Sequence, residues 1–288
     1  MSNRRPVANV QTGTFRTKTE TPFGEFLHNN PGDISLGRFE FKSAPPKILL
    51  GISTLHLNIP RIRCSIFEVS SCHAKIALES WEGTIGNQYN PECSWLAIAR
   101  DDPDLQCGRF DTLEDHLMAR PQQSTARQIR FARSYSSTPK VVVWLEAIST
   151  NPAHDCRVIT KATNITCSGF TINIDTWSDT ELLCGTAAWL AYSGNRTDIY
   201  SGTFSTDDVC RGPPRHQHSS YAPFAGREFW NKPKVFTALN MLNVSNETDL
   251  RVKAYTSNVS MNGLTWNIDS WDDTILYGAE AVFVAFDQ

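Results

Sequence analysis

The sequence predicts an all-β protein made of three tandem copies of one small β-sandwich domain. The first observation behind this prediction is a set of landmarks that recur in the same order about every 95 residues along the 288-residue chain. The second is the pattern between the landmarks, where valine, isoleucine, threonine and aromatic residues form short tracts separated by glycine, proline, asparagine and aspartate. No stretch sustains the 3.6-residue apolar period of a helix.

Tryptophan-centred motifs define the repeat most clearly. The segments ESWEGT around Trp81, DTWSDT around Trp177 and DSWDDT around Trp271 occupy equivalent places. A Gly-x-Phe motif opens each copy, a Pro-Lys motif lies in its middle and an apolar tract closes it. Each copy has the size of one small domain. The predicted organisation is an N-terminal tail, 1–8, followed by repeat 1, repeat 2 and repeat 3 at 9–100, 101–196 and 197–288.

The segment FTINIDTW of repeat 2 shows how the strands are recognised. Phe170, Ile172 and Ile174 fall on one face of a two-residue period, and Trp177 falls on the polar face. Repeats 1 and 3 show the same alternation, which is typical of a strand with one buried face. The closing tracts of repeats 2 and 3, AAWLAYS and EAVFVAF, are apolar on both faces, as expected for a strand covered on both sides. Several short antiparallel strands within about 95 residues predict a small sandwich.

Composition narrows the function classes. The net charge of −3 gives no electrostatic footprint for nucleic acid, and apolar runs of about ten residues are too short to insert into a membrane. Neither metal-ligand spacing nor a cofactor motif is present. The eight cysteines do not recur at equivalent positions, so we expect free thiols. Without a signal-like apolar segment at the N-terminus, we expect a cytoplasmic protein, or one secreted by a route that needs no signal peptide.

The three tryptophans on the polar faces require an explanation, because a large indole is rarely placed there without a partner. One interpretation is that each packs against a neighbouring repeat. The other is that each is a platform for a sugar ring, whose C–H face stacks on an aromatic ring while its hydroxyls bind nearby polar groups. Polar residues follow each tryptophan directly: Glu82, Ser178 and Asp272.

Arginine is the second recurring polar feature. Arg61, Arg157 and Arg251 each precede the tryptophan of their repeat by twenty residues. A guanidinium offers five fixed donors that could hold sugar hydroxyls. The alternative is an intramolecular salt bridge, and common ancestry alone could have kept all three.

Catalysis is not expected. Adjacent carboxylates such as Asp272 and Asp273 point to opposite faces of a strand, so they make a poor acid–base pair. Histidines do not recur in register with serines or cysteines. The alternative to a sugar-binding function is therefore a non-catalytic interaction or structural protein on the same fold.

Taken together, the Gly-x-Phe opening, the Pro-Lys centre, the Arg-Val strand, the Thr-Trp motif and the closing Trp-Leu-Ala-Tyr of repeat 2 resemble the H-type lectin domain. The resemblance covers the chain three times and is clearest in repeat 2. It implies a six-stranded antiparallel sandwich that assembles as a trimer and binds galactose or N-acetylgalactosamine in clefts between protomers. It also implies that one protomer supplies the arginine, and that its neighbour supplies the tryptophan, the next residue and a tyrosine.

Transferred to this sequence, the resemblance implies a set of ligand-binding residues. Only repeat 3 keeps the tyrosine, and the histidine that often follows the tryptophan in the family is replaced in every repeat. The segment NNPGDI of repeat 1 offers a match to an aspartate of the family's first loop. The implied residues are Arg61, Arg157, Arg251, Trp81, Trp177, Trp271, Glu82, Ser178, Asp272, Tyr277 and Asp33.

Short linkers between the repeats favour contact between consecutive copies. We therefore expect a single-chain pseudo-trimer with up to three non-identical sites in clefts between repeats, where glycans ending in galactose or N-acetylgalactosamine bind. In this arrangement Arg251 and Trp271 would serve different clefts. Three separate domains that self-associate with other chains are the competing arrangement.

Overall fold

The computed structural model describes residues 9–16, 29–37, 41, 44–81, 90–210, 212–226 and 228–287. These residues form eighteen strands, six in each repeat, and two 3₁₀ turns at Thr112–Glu114 and Thr206–Asp208. The all-β prediction is confirmed. Repeat 1 contains β1 (Val10–Arg16), β2 (Asn29–Ser35), β3 (Lys47–Leu57), β4 (Arg61–Val69), β5 (His73–Glu79) and β6 (Glu92–Ile98). Repeat 2 contains β7 (Leu105–Asp111), β8 (Ser124–Arg130), β9 (Lys140–Thr150), β10 (Cys156–Thr166), β11 (Gly169–Asp175) and β12 (Leu182–Tyr192). Repeat 3 contains β13 (Ile199–Ser205), β14 (Gln217–Pro223), β15 (Lys234–Val244), β16 (Leu250–Ser257), β17 (Gly263–Ser270) and β18 (Leu276–Phe286).

The strands form three six-stranded antiparallel sheets, and each sheet combines three strands of one repeat with three of another. Their orders are β1-β6-β3-β16-β17-β14, β13-β18-β15-β10-β11-β8 and β2-β5-β4-β9-β12-β7. Strands of different repeats pair at the centre of each sheet: β4 with β9, β10 with β15, and β16 with β3. We call these three pairings the 1–2, 2–3 and 3–1 junctions. The sequence predicted contact between repeats but not sheets that continue from one repeat into the next.

Within a repeat, the two half-sheets face each other through aromatic side chains. In repeat 2 the ring of Trp189 on β12 lies 5.3 Å from that of Phe170 on β11. In repeat 3 Phe204 on β13 stacks on Trp266 of β17 at 5.1 Å. Phe170 and Trp266 belong to the faces that the sequence alternation predicted to be buried, and both are buried.

A second buried cluster lies on the opposite face of the closing strands, and all three repeats contribute to it. Because successive residues of a strand point to opposite faces, this cluster explains why β6, β12 and β18 are apolar on both sides. The sequence predicted this for β12 and β18. Equivalent positions of the three repeats supply most of its members. They include Leu49, Val142 and Phe236, then Leu96, Leu190 and Val284, then Val10, Leu105 and Ile199.

We call this second buried cluster the central cluster. One set of equivalent positions in it holds three very different residues, Gly51, Trp144 and Ala238. Trp144 is fully buried, and its indole N–H donates a hydrogen bond of 2.8 Å to the Leu50 carbonyl of repeat 1. Its ring lies 4.7 Å from that of Phe236 in repeat 3. A Cβ atom on Gly51 would lie 2.6 Å from both the Trp144 ring and Ala238 Cβ. The indole therefore fills the space that the glycine and the alanine leave open.

An ion cluster connects the two linkers. Arg196, which follows β12, pairs with Asp198 at 2.6 Å and with Asp102 of the preceding linker at 3.0 Å. The guanidinium is almost fully buried, and two carboxylates compensate its charge. The linkers are thus held against each other.

All eight cysteine thiols are free. Burial raises the pKa of Cys156 to about 12 and that of Cys184 to about 11. Separately, the described part of the chain holds no helix with the length and apolarity of a membrane span.

Candidate functional site

In repeat 2, Arg157 lies between two carboxylates of its own repeat. One guanidinium nitrogen is 2.5 Å from Asp179, and the other pairs with Asp155. The Arg157 side chain is only 17% exposed, whereas that of Asp179 is 57% exposed. The arginine is therefore held in one orientation beside a carboxylate that remains open to solvent.

The turn after β11 explains this geometry. Ser178, which follows the half-buried Trp177, has a φ of 59°, in the left-handed region that non-glycine residues rarely occupy. The Thr180 hydroxyl donates a hydrogen bond of 2.6 Å to the Asp155 carbonyl and fixes the end of the turn. Asp179, between them, points back towards Arg157. We call Asp155, Arg157, Trp177, Ser178 and Asp179 cluster 2.

Repeat 3 reproduces this arrangement. Arg251 lies 2.8 Å from Asp249 and 2.5 Å from Asp273, and Asp272 has a φ of 55°. The Thr274 hydroxyl donates to the Asp249 carbonyl at 2.7 Å. One oxygen of Asp272 also approaches Arg251 Nε, at 3.5 Å. Cluster 3 therefore comprises Asp249, Arg251, Trp271, Asp272 and Asp273.

Repeat 1 departs from the pattern. Ile59 stands where the other repeats have the first aspartate, and Gly83 stands where they have the second. Residues 82–89, which include the predicted site residue Glu82, lie outside the described part of the chain. The cation over the Trp81 ring is that of Arg63, 5.8 Å from the ring centre, and Arg63 also pairs with Glu79 at 2.9 Å.

All three arginines lie on the strands that pair with another repeat. Arg61 is opposite Ser149 at the 1–2 junction, and Arg157 is opposite Asn243 at the 2–3 junction. Arg251 is opposite His56 at the 3–1 junction. Each arginine therefore lies where two repeats meet, at the same place in the register.

His56 brings repeat 1 into cluster 3. Its Nε2 accepts a hydrogen bond of 3.3 Å from Arg251 Nε, and its ring meets that of Trp271 edge-on at 5.7 Å. Burial, and then the nearby Arg251 guanidinium, lower the pKa of His56, although Asp249 and Asp272 act in the opposite direction. The imidazole is therefore neutral at pH 7.

A groove of about 230 Å³ adjoins cluster 3. The loop before β14 forms one wall with Pro214, Arg215 and His216, and Asp272, Asp273 and the residues after them form the other. The side chains of both aspartates are 68% exposed. The groove thus offers two carboxylates as acceptors and the Arg215 guanidinium as a donor, a combination that suits a ligand rich in hydroxyl groups.

The structure differs from the predicted division of labour. Arg251 and Trp271 belong to one cluster of repeat 3, and the neighbouring repeat supplies His56 instead. Tyr277 is half exposed at the start of β18, two residues beyond the groove residue Ile275.

Asp33 lies apart from the other predicted residues of repeat 1. It pairs with Lys75 on β5, four residues along β2 from the pairing of Asn29 with Glu79. At about 3.3 Å per residue, this places it roughly 13 Å from the end of β5 that leads into Trp81. The structure therefore does not bring Asp33 and Trp81 together.

Sequence reasoning missed two groups of neighbours. Asp155 and Asp249 had a visible signal, because both stand two residues before the arginine and repeat 1 lacks them. His56 had none, because its position beside Arg251 depends on the pairing of strands nearly 200 residues apart.

Comparison with known proteins points to the same two repeats that contain cluster 2 and cluster 3. The family model of the H-type lectin domain matches residues 126–192 and 221–286. These two segments, one in repeat 2 and one in repeat 3, match the H-type lectin domain. The resemblance seen in the Arg-Val and Thr-Trp motifs is confirmed for these two segments, which contain the arginine and tryptophan of both clusters. The match of both segments to this lectin family supports a carbohydrate-binding function.

The chain also resembles solved structures weakly, and one of them is a discoidin. Recombinant discoidin II of Dictyostelium discoideum shares 14% sequence identity with it, and the match covers 54% of this chain and 75% of that one with a TM-score of 0.29. No curated protein matches the chain.

Proposed function

We propose that this lectin binds glycans ending in galactose or N-acetylgalactosamine, at cluster 2 and cluster 3. The observation that carries the proposal is the recurrence of one constellation in repeats 2 and 3. In both, two aspartates fix a guanidinium, and one of these aspartates lies exposed in the turn that follows a half-buried tryptophan. Both constellations lie at junctions between repeats.

The chemistry of the constellation suits a sugar. Exposed carboxylate oxygens of Asp179, Asp272 and Asp273 accept hydrogen bonds from hydroxyl groups, and the guanidinium nitrogens donate them. The face of Trp177 or Trp271 packs against the C–H groups of the ring. Galactose and N-acetylgalactosamine are the sugars that the family resemblance implies.

The two sites belong to a single-chain pseudo-trimer in this proposal. Its support is the cyclic exchange of strands, since each repeat shares one sheet with each of the other two. Two sites in one chain raise the avidity for a glycan-covered surface by up to about 10²–10⁴-fold over a single site. Weak binding of a single sugar is therefore compatible with firm attachment to a cell surface or glycoprotein.

Isothermal titration with N-acetylgalactosamine, and with glucose as comparator, tests the proposal. The expected result is two sites per chain for N-acetylgalactosamine and no binding of glucose. Trp177→Ala and Trp271→Ala should each remove one site. Equal binding of both sugars would refute the galactose-type specificity.

A non-catalytic interaction or structural protein remains the competing function, because each Asp–Arg–Asp arrangement also stabilises a turn. That function predicts a different outcome. Trp271→Ala would then lower the unfolding temperature, and the unmodified protein would bind no glycan on an array.

A further inference from the structure

The three junctions present three different residues to the arginines. Ser149, Asn243 and His56 occupy the same position on β9, β15 and β3, opposite Arg61, Arg157 and Arg251. Histidine alone among the three changes its charge near physiological pH. At this position the 3–1 junction therefore has a titratable side chain that the 2–3 junction lacks. Cluster 2 has a histidine elsewhere, His154, whose Nδ1 lies 3.2 Å from Asp179.

His56 touches both recognition groups of cluster 3. Its unprotonated Nε2 accepts a hydrogen bond from Arg251 Nε at 3.3 Å, and its ring abuts the Trp271 indole with an interplanar angle of 85°. A neutral imidazole thus connects the guanidinium to the indole from the side of repeat 1. Protonation would turn the acceptor into an N–H group that faces another N–H group, and the hydrogen bond could not persist.

We propose that His56 is a positioning residue that holds Arg251 and Trp271 in their sugar-binding arrangement while it is uncharged. When His56 becomes protonated, cluster 3 releases its sugar, whereas cluster 2 keeps its own. This proposal rests on the sugar-binding function of cluster 3 and adds a difference in regulation between the two sites. The chain then carries two sites that respond differently to the protonation of His56.

The charges around His56 determine the direction of the effect. Arg251 approaches from β16, Asp249 from the loop before β16 and Asp272 from the loop after β17. Burial and Arg251 together outweigh the two carboxylates and lower the pKa of His56 below 6.5. Because the sugar selects the neutral form, affinity is constant above that pKa. It falls by up to about tenfold per pH unit below it.

A second histidine must be separated from this effect. His216 lines the groove beside Asp272, and its Nδ1 lies 3.0 Å from the Ser270 hydroxyl. Its backbone equivalent in repeat 2 is Gln123, since the carbonyl of each accepts a hydrogen bond from the residue before the tryptophan. His216→Gln and His56→Asn therefore each give cluster 3 the residue that cluster 2 already has.

The test isolates each site and follows its affinity with pH. Trp177→Ala leaves only cluster 3, and Trp271→Ala leaves only cluster 2. N-acetylgalactosamine is titrated into each protein at pH 7.5 and at pH 5.0. We expect the cluster 3 protein to lose affinity at pH 5.0. The cluster 2 protein, in which His154→Asn also removes the histidine 3.2 Å from Asp179, should change less than about threefold.

Exchanging the junction residues completes the test. In the cluster 3 protein, His56→Asn should abolish the pH dependence and His216→Gln should leave it intact. In the cluster 2 protein, Asn243→His should create a pH dependence. Far-UV circular dichroism and thermal unfolding establish that each variant is folded, and His56→Gln serves in place of any His56→Asn protein that is not.

The outcomes distinguish this proposal from the proposed function. Sugar binding by both proteins with the same pH profile, or a pH dependence that survives His56→Asn and His56→Gln, would overturn the role of His56 alone. Absence of N-acetylgalactosamine binding by either protein at pH 7.5 would overturn the sugar-binding function, and this proposal with it.

Discussion

Repeats 2 and 3 place two aspartates around their arginine, whereas repeat 1 has Ile59 and Gly83 at the same two positions. All three repeats nevertheless keep the arginine and the tryptophan. Without the aspartates, no carboxylate at these two positions orients Arg61, and the cation that lies over Trp81 is Arg63 instead. Persistence of two prominent residues therefore does not by itself preserve a site, because their neighbours set the orientation and the charge.

The repeats also differ in the interior. Gly51, Trp144 and Ala238 divide the space of the central cluster unequally. Each of β3, β9 and β15 contains a β-bulge two residues beyond these positions. The bulge residue is Ser53 in repeat 1 and Asn240 in repeat 3, but in repeat 2 it is a buried glutamate, Glu146. Repeat 2 therefore carries both the largest side chain and the buried carboxylate of these equivalent positions.

Removing Trp144 should have the largest effect. Trp144→Ala would empty the centre of the second cluster and lower the free energy of unfolding by about 3–5 kcal/mol. Urea denaturation followed by circular dichroism measures this change. Trp144→Phe, which keeps most of the ring volume, is the matched control and should cost less. A loss below about 1 kcal/mol for the alanine variant would show that the cluster can close around the gap.

Glu146 should make stability depend on pH in a direction that is unusual for a carboxylate. Burial raises its pKa to about 7, although the ion pair with Arg109 at 2.9 Å acts in the opposite direction. The folded state therefore retains the proton more strongly than the unfolded state, so stability is full below about pH 4.5 and declines as pH rises through 7.

Glu146→Gln should abolish this decline, which amounts to on the order of 2–3 kcal/mol. Unfolding free energies at intervals between pH 4.5 and 8 provide the measurement. Glu92→Gln is a control in which the pH dependence of stability has the opposite sign. Burial raises the pKa of Glu92, but the nearby Arg16 and Lys253 outweigh burial and lower it. An unchanged slope in the Glu146→Gln protein would contradict the assignment.

Removing one of the two carboxylate partners of the arginine should weaken sugar binding at a single site. Asp179→Asn removes the exposed carboxylate of cluster 2, and Arg157 loses a charged partner. We expect the affinity of that site for N-acetylgalactosamine to fall by about 10–100-fold, or roughly 1–3 kcal/mol. Asp273→Asn should do the same at cluster 3 only. If either change affected both sites equally, the clusters would not be independent.

Changing the arginine of repeat 1 should have the smallest effect. Because repeat 1 lacks both aspartates, Arg61→Ala should leave the number of N-acetylgalactosamine sites at two per chain. Calorimetric stoichiometry measures this directly, with Arg251→Ala as the matched change that does remove a site. A fall in stoichiometry with Arg61→Ala would place a sugar-binding site at the 1–2 junction. It would contradict the conclusion that repeat 1 has lost its site together with the two aspartates.

Local sequence predicted much of the fold. The alternation of Phe170, Ile172 and Ile174 identified a strand and its buried face, because side-chain direction in a strand follows residue parity. The double-sided apolarity of β12 predicted its cover on both faces. The pairing of β3 with β16 could not be read in the same way, since the register between distant strands depends on how whole repeats pack.

The candidate site was predictable to the extent that its residues are close in sequence. The turn from Trp177 to Thr180 and the Asp155–Arg157 pair are local, and their recurrence in repeat 3 was visible. His56 reaches Arg251 only through a junction between the first and last repeats. Asp33 is a different case: its family motif matched by its letters, but its position opposite Lys75 could not be read from them. Its part in ligand binding stays a prediction.

The single indole at the centre of the molecule has a consequence for inheritance. Three identical copies of repeat 2 would bring three Trp144 side chains to a space that Gly51 and Ala238 now leave for one. Three copies of repeat 1 would instead leave that space hollow. The copies have therefore become complementary parts, and recombination that replaces one of them with a duplicate of another yields a chain with an overfilled or empty centre. Each junction is formed by two different repeats of one chain. The residues of one junction can therefore change during evolution without the same change at the other two.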